Sequence, residues 1–425
     1  MSSSEAGVAR RSRVGGDERH RVVVLGGCGG IGSIAVRSLV ADEAFAEVVI
    51  ADVRGEDARA AAAGYADPAV TGVVMDAGSP ESLAAVLAGA DVAVSCIGPF
   101  YRFGPPVLAA AVAAGVDYVD VCDDLDATRA QLQLDDAARA AGVCAVIGMG
   151  NSPGLANLFA RFAADELLDE TLAVDILHVH GGEPTEGPAV IKHRIHAMVD
   201  DVPLFVDGAF VDVRLLEPSG QAYVQETDFP AVGRCPTYPY PHPETITLPR
   251  HLPGLRRATN RGVVVPLPYF DHTMAVVRRG LADHPVPDEA IIDGWVEAIL
   301  AERPRFLAEA GLTAPRGCLK VVVEGRRAGE DHTYVFTIAS TDAGAGEGTG
   351  IPAAMGAALL HTADIRRPGV HPPEAIIPPL DLFVRAASAL DRFPLGNGAD
   401  GAGDFPIRID HHRPDGVVEE IPLPI

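Results

Sequence analysis

Glycines with a particular spacing follow the first apolar run of the chain. Residues 21–32 read RVVVLGGCGGIG, in which three glycines have the spacing G-x-G-x-x-G. The first of them permits a tight turn, the second lets the backbone approach a pyrophosphate, and the third lets a helix pack closely on a strand. A β-branched run before them predicts a strand, and apolar spacing after them predicts a helix, so the segment favours a dinucleotide-binding turn. The predicted contact residues are Gly27, taken as the glycine of the tight turn, with Gly29, Gly30, Ile31 and Gly32.

An acidic residue, Asp52, ends the second predicted strand, VVIAD, 20 residues beyond Gly32. A carboxylate there accepts hydrogen bonds from both ribose hydroxyls and repels a 2′-phosphate, which favours NAD over NADP. Arg54 follows two residues later and can pair with that phosphate instead, so NADP remains the alternative. Val53, and Asp76 at the end of the third predicted strand, complete the residues expected around the adenosine half.

Two further segments follow the fourth and sixth predicted strands: SCIGPFYRFG (95–104) and GMGNSPGLANLFA (148–160). Ligands of doubly wound sheets bind outside the carboxyl ends of the strands, so we expect both segments at the ribose and nicotinamide. The predicted contact residues are Cys96, Ile97, Gly98, Pro99, Gly150 and Asn151. We interpret Cys96 as a packed thiol rather than a nucleophile.

Three residues are candidate catalytic residues. Arg102 can hold a substrate carboxylate through its forked guanidinium group. Lys192 can bind a carboxylate or act as a general acid, and His193 is the candidate beside it in the segment IKHRIH. Surface positions for Arg102 and Lys192 remain open, and His272 is a lesser candidate.

Histidines cluster in the second half of the chain, in HVHGGEP (178–184) and IKHRIH (191–196). The first two alternate on one strand face, and the second two are spaced for one helix face. With an acidic neighbour they offer metal ligands. Polar residues on a substrate wall or a domain surface explain the pattern better, and hydride transfer from a nicotinamide needs no metal, so we expect none. The residues concerned are His178, His180, His193, His196 and Glu183.

Strand-like and helix-like segments alternate from residue 21 to 148, which predicts parallel strands joined by helical crossovers. After residue 150 the pattern changes to antiparallel strands, including a hairpin over 319–340. PTYPYPHPE (236–244) is interpreted as a proline-rich connection. The expected fold class is α/β: an N-terminal Rossmann doubly wound parallel sheet, followed by an α+β domain with a mixed sheet.

Charge and cysteine spacing exclude several classes of protein. The 34 Lys and Arg against 58 Asp and Glu leave a formal net charge of −24, which repels nucleic acid and anionic lipid. The basic start of the chain lacks the apolar region of a signal peptide, and no apolar run reaches membrane-helix length. The six cysteines include no C-x-x-C pair and predict buried thiols in a reducing cytosol. We therefore expect a cytoplasmic protein with a small-molecule substrate.

The order of these motifs resembles the saccharopine dehydrogenase-like family over most of residues 20–385. The resemblance is carried by the glycine turn, GPFYRFGPPVLAAAVAAGVDYVDVCDD, GNSPGLANL and STDAGAGEGTGIPAAMGAALL. The PGLANL segment is closer to lysine 6-dehydrogenase and carboxynorspermidine dehydrogenase-like members than to fungal saccharopine reductase. The resemblance implies an inserted domain that dimerises, a helix at 349–360 that returns to the Rossmann domain, and hydride transfer at a carbon–nitrogen bond.

From this resemblance we expect an NAD(P)-dependent dehydrogenase or reductase that acts on an amino acid, amine or imine and forms a homodimer. The alternatives are a reductase of a carbon–carbon double bond and a non-catalytic redox sensor that binds the dinucleotide. The predicted segments are a disordered arm (1–19), the Rossmann domain (20–149), an α+β substrate-binding and dimerisation domain (150–345), returning C-terminal helices (346–392) and a loosely ordered tail (393–425).

Overall fold

Two β-sheets organise the chain in a computed structural model that describes residues 20–42, 44–183, 186–341, 345–362, 365–392 and 407–424. One sheet has seven parallel strands and the other has ten strands in mixed directions. The predicted fold class is therefore confirmed. The predicted arm at 1–19 and residues 393–406 of the predicted tail lie outside the described residues.

The strands are β1 Arg21–Leu25, β2 Glu47–Asp52, β3 Val70–Val74, β4 Val92–Ser95, β5 Asp117–Asp120, β6 Cys144–Val146, β7 Glu170–Gly181, β8 Val202–Val206, β9 Ala209–Val213, β10 Gln225–Phe229, β11 Gly233–Pro239, β12 Arg257–Val265, β13 Arg316–Arg327, β14 Glu330–Ser340, β15 Gly369–His371, β16 Ile407–His412 and β17 Val418–Ile421. The helices are α1 Gly30–Ala41, α2 Gly55–Gly64, α3 Pro80–Leu87, α4 Phe100–Ala114, α5 Leu125–Leu132, α6 Asp135–Ala141, α7 Leu155–Phe162, α8 Pro188–Val199, α9 Pro218–Gln221, α10 Glu244–His251, α11 Leu267–Asp283, α12 Glu289–Glu309, α13 Ala345–Thr362, α14 Pro373–Ile376 and α15 Pro379–Arg392, with a π-helical turn at Ala163–Leu167.

The seven-stranded sheet has the order β15-β6-β5-β4-β1-β2-β3. Its interior strand β1 has four successive fully buried residues, from Val22 to Leu25. Burial on both faces is typical of a parallel strand covered by helices on each side, which explains the unbroken apolar run. The strand order reverses between β1 and β4, and the crevice at that point is where ligands of such sheets bind.

The chain leaves this sheet after β6 and returns to it much later as β15, which pairs in parallel with β6. Helix α13 precedes the return and packs against α1. The approach is close, because a Cβ at Gly350 would lie 2.7 Å from the carbonyl oxygen of Ile31. A 2.6 Å ion pair between Arg366 and the buried Asp117 holds the returning segment. The second sheet is therefore inserted between two parts of the first sheet, and the two sheets with the helices packed on them are called the first and second domains below.

The second sheet is built around the parallel pair β7 and β12, with the antiparallel hairpin β13–β14 beside β7. One of its faces shares a core with the first domain, where Phe159 of α7 stacks on Phe336 of β14 at 5.1 Å between ring centroids. The opposite face packs against residues of α8, α11 and α12. The predicted hairpin is present, and both faces of this sheet are covered by other elements.

Two segments differ from the sequence prediction. Residues 407–421 form β16 and β17 on the second sheet, not part of a loose tail, because Ile409 and His411 point inward while charged neighbours point outward. The segment 236–244 was predicted as a connection, yet β11 runs to Pro239 with Cys235 and Thr237 buried on one face. In β16 and β11 buried residues alternate with more exposed ones, as in a strand, but charged residues or prolines made this alternation hard to recognise in the sequence.

A search of the described helices finds none with both the length and the apolar character of a membrane span.

Candidate functional site

The turn between β1 and α1 is held by two glycines, each for its own reason. Gly26 has φ +78°, and its N–H donates to Ala51 O at 2.8 Å, so Gly26 makes the tight turn that the sequence analysis assigned to Gly27. A Cβ at Gly27 would lie 2.8 Å from the side chain of Ile50. Gly27 is therefore required for close packing and not for its backbone conformation.

The N-terminus of α1 fits a pyrophosphate. A Cβ at Gly32 would lie 2.9 Å from Gly27 Cα and closer still to Gly26 O, so only glycine allows the helix to sit this near the strand. At Gly29 an added Cβ would meet only Gly26 O, at 3.3 Å, and at Gly30 it would meet nothing within 4 Å. Among the residues that the structure describes, no side chain caps α1, so its first N–H groups can bind an anion.

Asp52 is a buried carboxylate at the end of β2, next to this turn. One oxygen accepts a hydrogen bond from Cys28 N, and the other accepts from the backbone and side chain of Arg54, at 3.1–3.2 Å. Burial acts to raise the pKa of Asp52, but the hydrogen bonds from Arg54 and Cys28 outweigh it, and the pKa lies below its usual value. Asp52 is therefore charged, and Arg54 lies over it with 55% of its side chain exposed.

The other predicted residues of the adenosine half lie on the surface. The side chain of Val53 is exposed, which leaves an apolar surface beside Asp52. Asp76 is exposed, and its carboxylate accepts a hydrogen bond from Gly78 N at 2.8 Å. Both residues follow strands at the same edge of the sheet as the glycine turn.

The segment after β4 lies against the glycine turn. A Cβ on Gly26 would be 3.1 Å from Cys96 O and 3.2 Å from the side chain of Ile97. Pro99 then caps the N-terminus of α4, with Gly98 before it. Burial, and next the charge of Asp120, raise the pKa of Cys96 to about 12, so this thiol stays protonated, as a packed thiol would.

The segment after β6 forms a tight loop between the two sheets. Gly154 has φ +124°, and a Cβ there would collide with the backbone of Gly150, so only glycine closes the loop. The side chain of Asn157 accepts a hydrogen bond from Gly154 N at 2.9 Å and donates to the buried Glu374 at 2.8 Å. Asn151 lies beside α13, 3.7 Å from where a Cβ on Gly348 would be.

Ser152, at the tip of this loop, meets a buried polar group from the second domain. Its hydroxyl donates to the carboxylate of Glu244 and accepts from the Asn260 amide at 3.1 Å, and His242 Nδ1 is 3.4 Å away. Glu244 is fully buried, and burial raises its pKa to about 7. The loop predicted to flank the nicotinamide is thus connected to a carboxyl group that the sequence analysis did not identify.

Two stacked histidines continue this group. His178 and His242 stack with ring centroids 5.3 Å apart, and His178 Nε2 is 3.0 Å from Asn260 Oδ1. Burial lowers the pKa of His178 to about 3 and lowers that of His242 well below its usual value. Both rings are therefore neutral near pH 7.

His193, one of the three predicted catalytic residues, lies on α8 and contacts the same group. Its Nε2 is 3.7 Å from Asp123 Oδ2, and its ring centroid is 5.9 Å from that of His242. Asp123 follows β5, at the carboxyl edge of the first sheet. The same positional rule that selected the segments after β4 and β6 would have found it.

Lys192 and Arg102 make other contacts. Lys192 Nζ is bonded to Glu289 at 3.0 Å and to Asp293 at 2.6 Å, so Lys192 joins α8 to α12. The hydroxyl of Tyr101, in α4, donates to Glu289 at 3.4 Å and extends this link to the first domain. Arg102 is exposed, and its guanidinium carbon lies 4.8 Å from the Phe103 ring centroid.

Comparisons with known proteins agree with this geometry. Residues 22–146 match the family model of the saccharopine dehydrogenase NADP binding domain. A carboxyaminopropylagmatine dehydrogenase of Synechocystis sp. is 24% identical over 382 residues, which cover 84% of this chain and 93% of the relative. A trans-acting enoyl reductase of Mycobacterium leprae is 28% identical over 146 residues, 33% of this chain and 35% of the relative. Apo saccharopine dehydrogenase (L-Glu forming) of Saccharomyces cerevisiae has a similar fold, with TM-score 0.62, 16% identity and coverage of 88% of this chain and 98% of that one.

The glycine turn, the charged Asp52 and the matching domain define a dinucleotide-binding oxidoreductase. The chain is an NAD(P)-dependent enzyme of the dehydrogenase and reductase class, and the resemblance to saccharopine dehydrogenase-like proteins expected from its motifs is confirmed.

Proposed function

We propose that the enzyme transfers hydride between a nicotinamide dinucleotide and the carbon of a carbon–nitrogen centre in an amino acid, amine or imine. The observation that carries the proposal is the meeting of the Ser152 loop with Glu244, Asn260 and His242, at the edge of the sheet where the nicotinamide is expected. Such chemistry needs a polar, largely buried site, because the nitrogen gains or loses a proton as the hydride moves.

The comparisons support a nitrogen-containing substrate. The relative named carboxyaminopropylagmatine dehydrogenase matches this chain over 93% of its own length, and its name denotes a carboxylated amine. The enoyl reductase of M. leprae favours the second candidate, reduction of a carbon–carbon double bond, but its match covers only 33% of this chain. The longer match includes most of the second sheet, which supplies the buried polar residues, so we favour the first candidate.

The roles of individual residues follow from their placement. The cofactor supplies the hydride, the first turn of α1 binds its pyrophosphate, and Asp52 binds its ribose. Ser152, held by Glu244 and Asn260, hydrogen-bonds the substrate, while the exposed Arg102 keeps its predicted role of binding a substrate carboxylate. Lys192 is assigned to the contact between α8 and α12, because two carboxylates already occupy its ammonium group.

Cofactor preference, assembly and location complete the proposal. NAD is the favoured cofactor, because the charged Asp52 carboxylate repels a 2′-phosphate. Arg54, which could otherwise bind that phosphate, is already paired with Asp52. We also propose a cytoplasmic homodimer. The expected measurements are a higher kcat/KM with NAD than with NADP and twice the chain mass by light scattering.

A substrate panel tests the reaction class. We expect NAD reduction with a pool of amino acids and amines, and NADH oxidation when 2-oxo acids or aldehydes are supplied together with amines. Turnover confined to enoyl thioesters would instead establish the second candidate. Ser152→Ala should lower kcat at least roughly tenfold while NAD affinity stays within about twofold, because Ser152 would contact the substrate and not the cofactor. Ser219→Ala, an exposed serine of the second domain, is the matched control.

A further inference from the structure

Three potential metal ligands from both domains converge near Ser152. Asp123 follows β5 of the first sheet, His193 lies on α8, and His242 follows β11 of the second sheet. One ligand atom from each lies within 4.8 Å of the ligand atoms of the other two. No two of the three are within 45 residues of each other in the sequence, so the fold alone brings them together.

The contacts among these groups are incomplete. His193 Nε2 is buried and has no hydrogen-bond partner within the described part of the chain, because Asp123 Oδ2 at 3.7 Å is too distant. A buried polar atom left in this way costs about 1–3 kcal/mol. A ligand placed between the imidazole and the carboxylate would satisfy both groups.

The surroundings of His242 orient its ring as a metal ligand requires. Its Nδ1 lies 3.4 Å from Ser152 Oγ, to which an Nδ1–H can donate, and this leaves the lone pair of Nε2 for another partner. Metal-binding histidines ordinarily have the second ring nitrogen held by a neighbouring polar group in this manner.

We propose that Asp123, His193 and His242 bind a divalent transition-metal ion of the zinc type. Two imidazole nitrogens and one carboxylate oxygen are the donor set of catalytic zinc sites, which leave a fourth position open. In tetrahedral zinc sites neighbouring ligand atoms are roughly 3.3 Å apart, so these groups need to close by no more than about 1.5 Å. Asp123 can make this movement, because 40% of its side chain is exposed. Magnesium and calcium prefer more oxygen ligands than this site offers.

The fourth position would be open to an atom of the substrate. A metal ion there acts as a Lewis acid toward a lone pair of the bound substrate. The inference goes beyond the proposed function and differs from the sequence-based expectation of no metal. It is tested with neither cofactor nor substrate, so the result for metal binding does not depend on whether the proposed hydride-transfer reaction is correct.

The test uses the full chain, stripped with a chelator and dialysed against metal-free buffer. Calorimetric titration with Zn²⁺ should show one equivalent bound with a micromolar or lower Kd, and Co²⁺ should give the intense visible bands of a tetrahedral ion. Asp123→Asn and His193→Ala should each raise Kd at least roughly tenfold. The matched control is His196→Ala, one turn along α8, where the ring pairs with Asp200.

Circular dichroism should first show that each variant is folded. If His193→Ala fails to fold, the Zn²⁺ affinity of Asp123→Asn decides the test. That variant should fold, because the partly exposed side chain of Asp123 is replaced by one of the same size. The proposal is overturned if wild-type protein shows no saturable binding below about 100 μM. It is equally overturned if Asp123→Asn binds Zn²⁺ as tightly as wild type, or if bound Co²⁺ keeps the weak spectrum of the aqueous ion.

Discussion

Substitutions at two glycines of the β1–α1 turn separate cofactor binding from packing. In Gly32→Ala the new methyl group would lie 2.9 Å from Gly27 Cα, where carbon atoms normally approach to about 3.5–4.0 Å. The overlap of at least about 0.6 Å forces the helix or the turn to move, at a cost of about 1–3 kcal/mol. In Gly29→Val the nearest internal atom to the new Cβ is Gly26 O at 3.3 Å, so the added atoms chiefly enter the space of the pyrophosphate.

The two substitutions therefore predict different pairs of measurements. Gly29→Val should weaken NAD binding at least roughly tenfold, about 1.4 kcal/mol, with a melting temperature close to wild type when no cofactor is present. Gly32→Ala should weaken binding and also lower that melting temperature by several degrees, roughly 2–4 °C for each kcal/mol. Gly64→Ala, where a Cβ meets nothing within 4 Å, is the control, and it should neither weaken NAD binding nor lower the melting temperature.

Calorimetric titration with NAD and thermal unfolding by circular dichroism supply both numbers for each variant. Wild-type affinity in Gly29→Val would show that the pyrophosphate does not pass this residue. A melting temperature in Gly29→Val as low as that of Gly32→Ala would show that strain inside the turn, and not the cofactor path, explains the loss.

Three further predictions concern ionisable side chains. Asp52→Ser should raise NADP affinity relative to NAD, because it removes a charge that repels the 2′-phosphate; an unchanged ratio of the two Kd values contradicts this role. Lys192→Met should change kcat and KM by less than about twofold, since Lys192 is paired with Glu289 and Asp293, and a pH-dependent loss of kcat would restore its role as an acid. Burial raises the pKa of Glu374, so folded protein keeps a proton there that unfolded protein releases, and wild type loses stability as the pH rises above the usual glutamate pKa. Glu374→Gln should reduce this loss, and equal slopes of melting temperature against pH in both proteins would refute it.

The first domain was predictable from sequence because its signals are local. Gly29, Gly32 and Asp52 lie within one strand–helix–strand unit, and each has a role that depends on near neighbours in the chain. Even there the prediction missed Gly26, because the motif records spacing and not the backbone angle at each position. Fully buried parallel strands such as β1 also produce continuous apolar runs that are easily recognised.

The polar group around Ser152 was not predictable in the same way. His242 and Glu244 follow β11, a strand that its two prolines made hard to recognise in the sequence. Asn260 lies on β12, a separate strand later in the chain. Their meeting with Ser152 depends on how the second sheet is placed against the first, which no local pattern encodes. His193 was selected by residue type, and the rule applied to the segments after β4 and β6 would also have selected Asp123, but only the fold shows that the two side chains lie together.

The late return of β15 has a consequence for any attempt to isolate the cofactor-binding half. A fragment that ends at residue 146, where the family match stops, would leave β6 as an unprotected edge with unpaired N–H and C=O groups. It would also expose the apolar surface of α1 that α13 covers. Such a fragment should aggregate or recruit strands from other copies, whereas adding residues 345–392 in trans should restore its solubility.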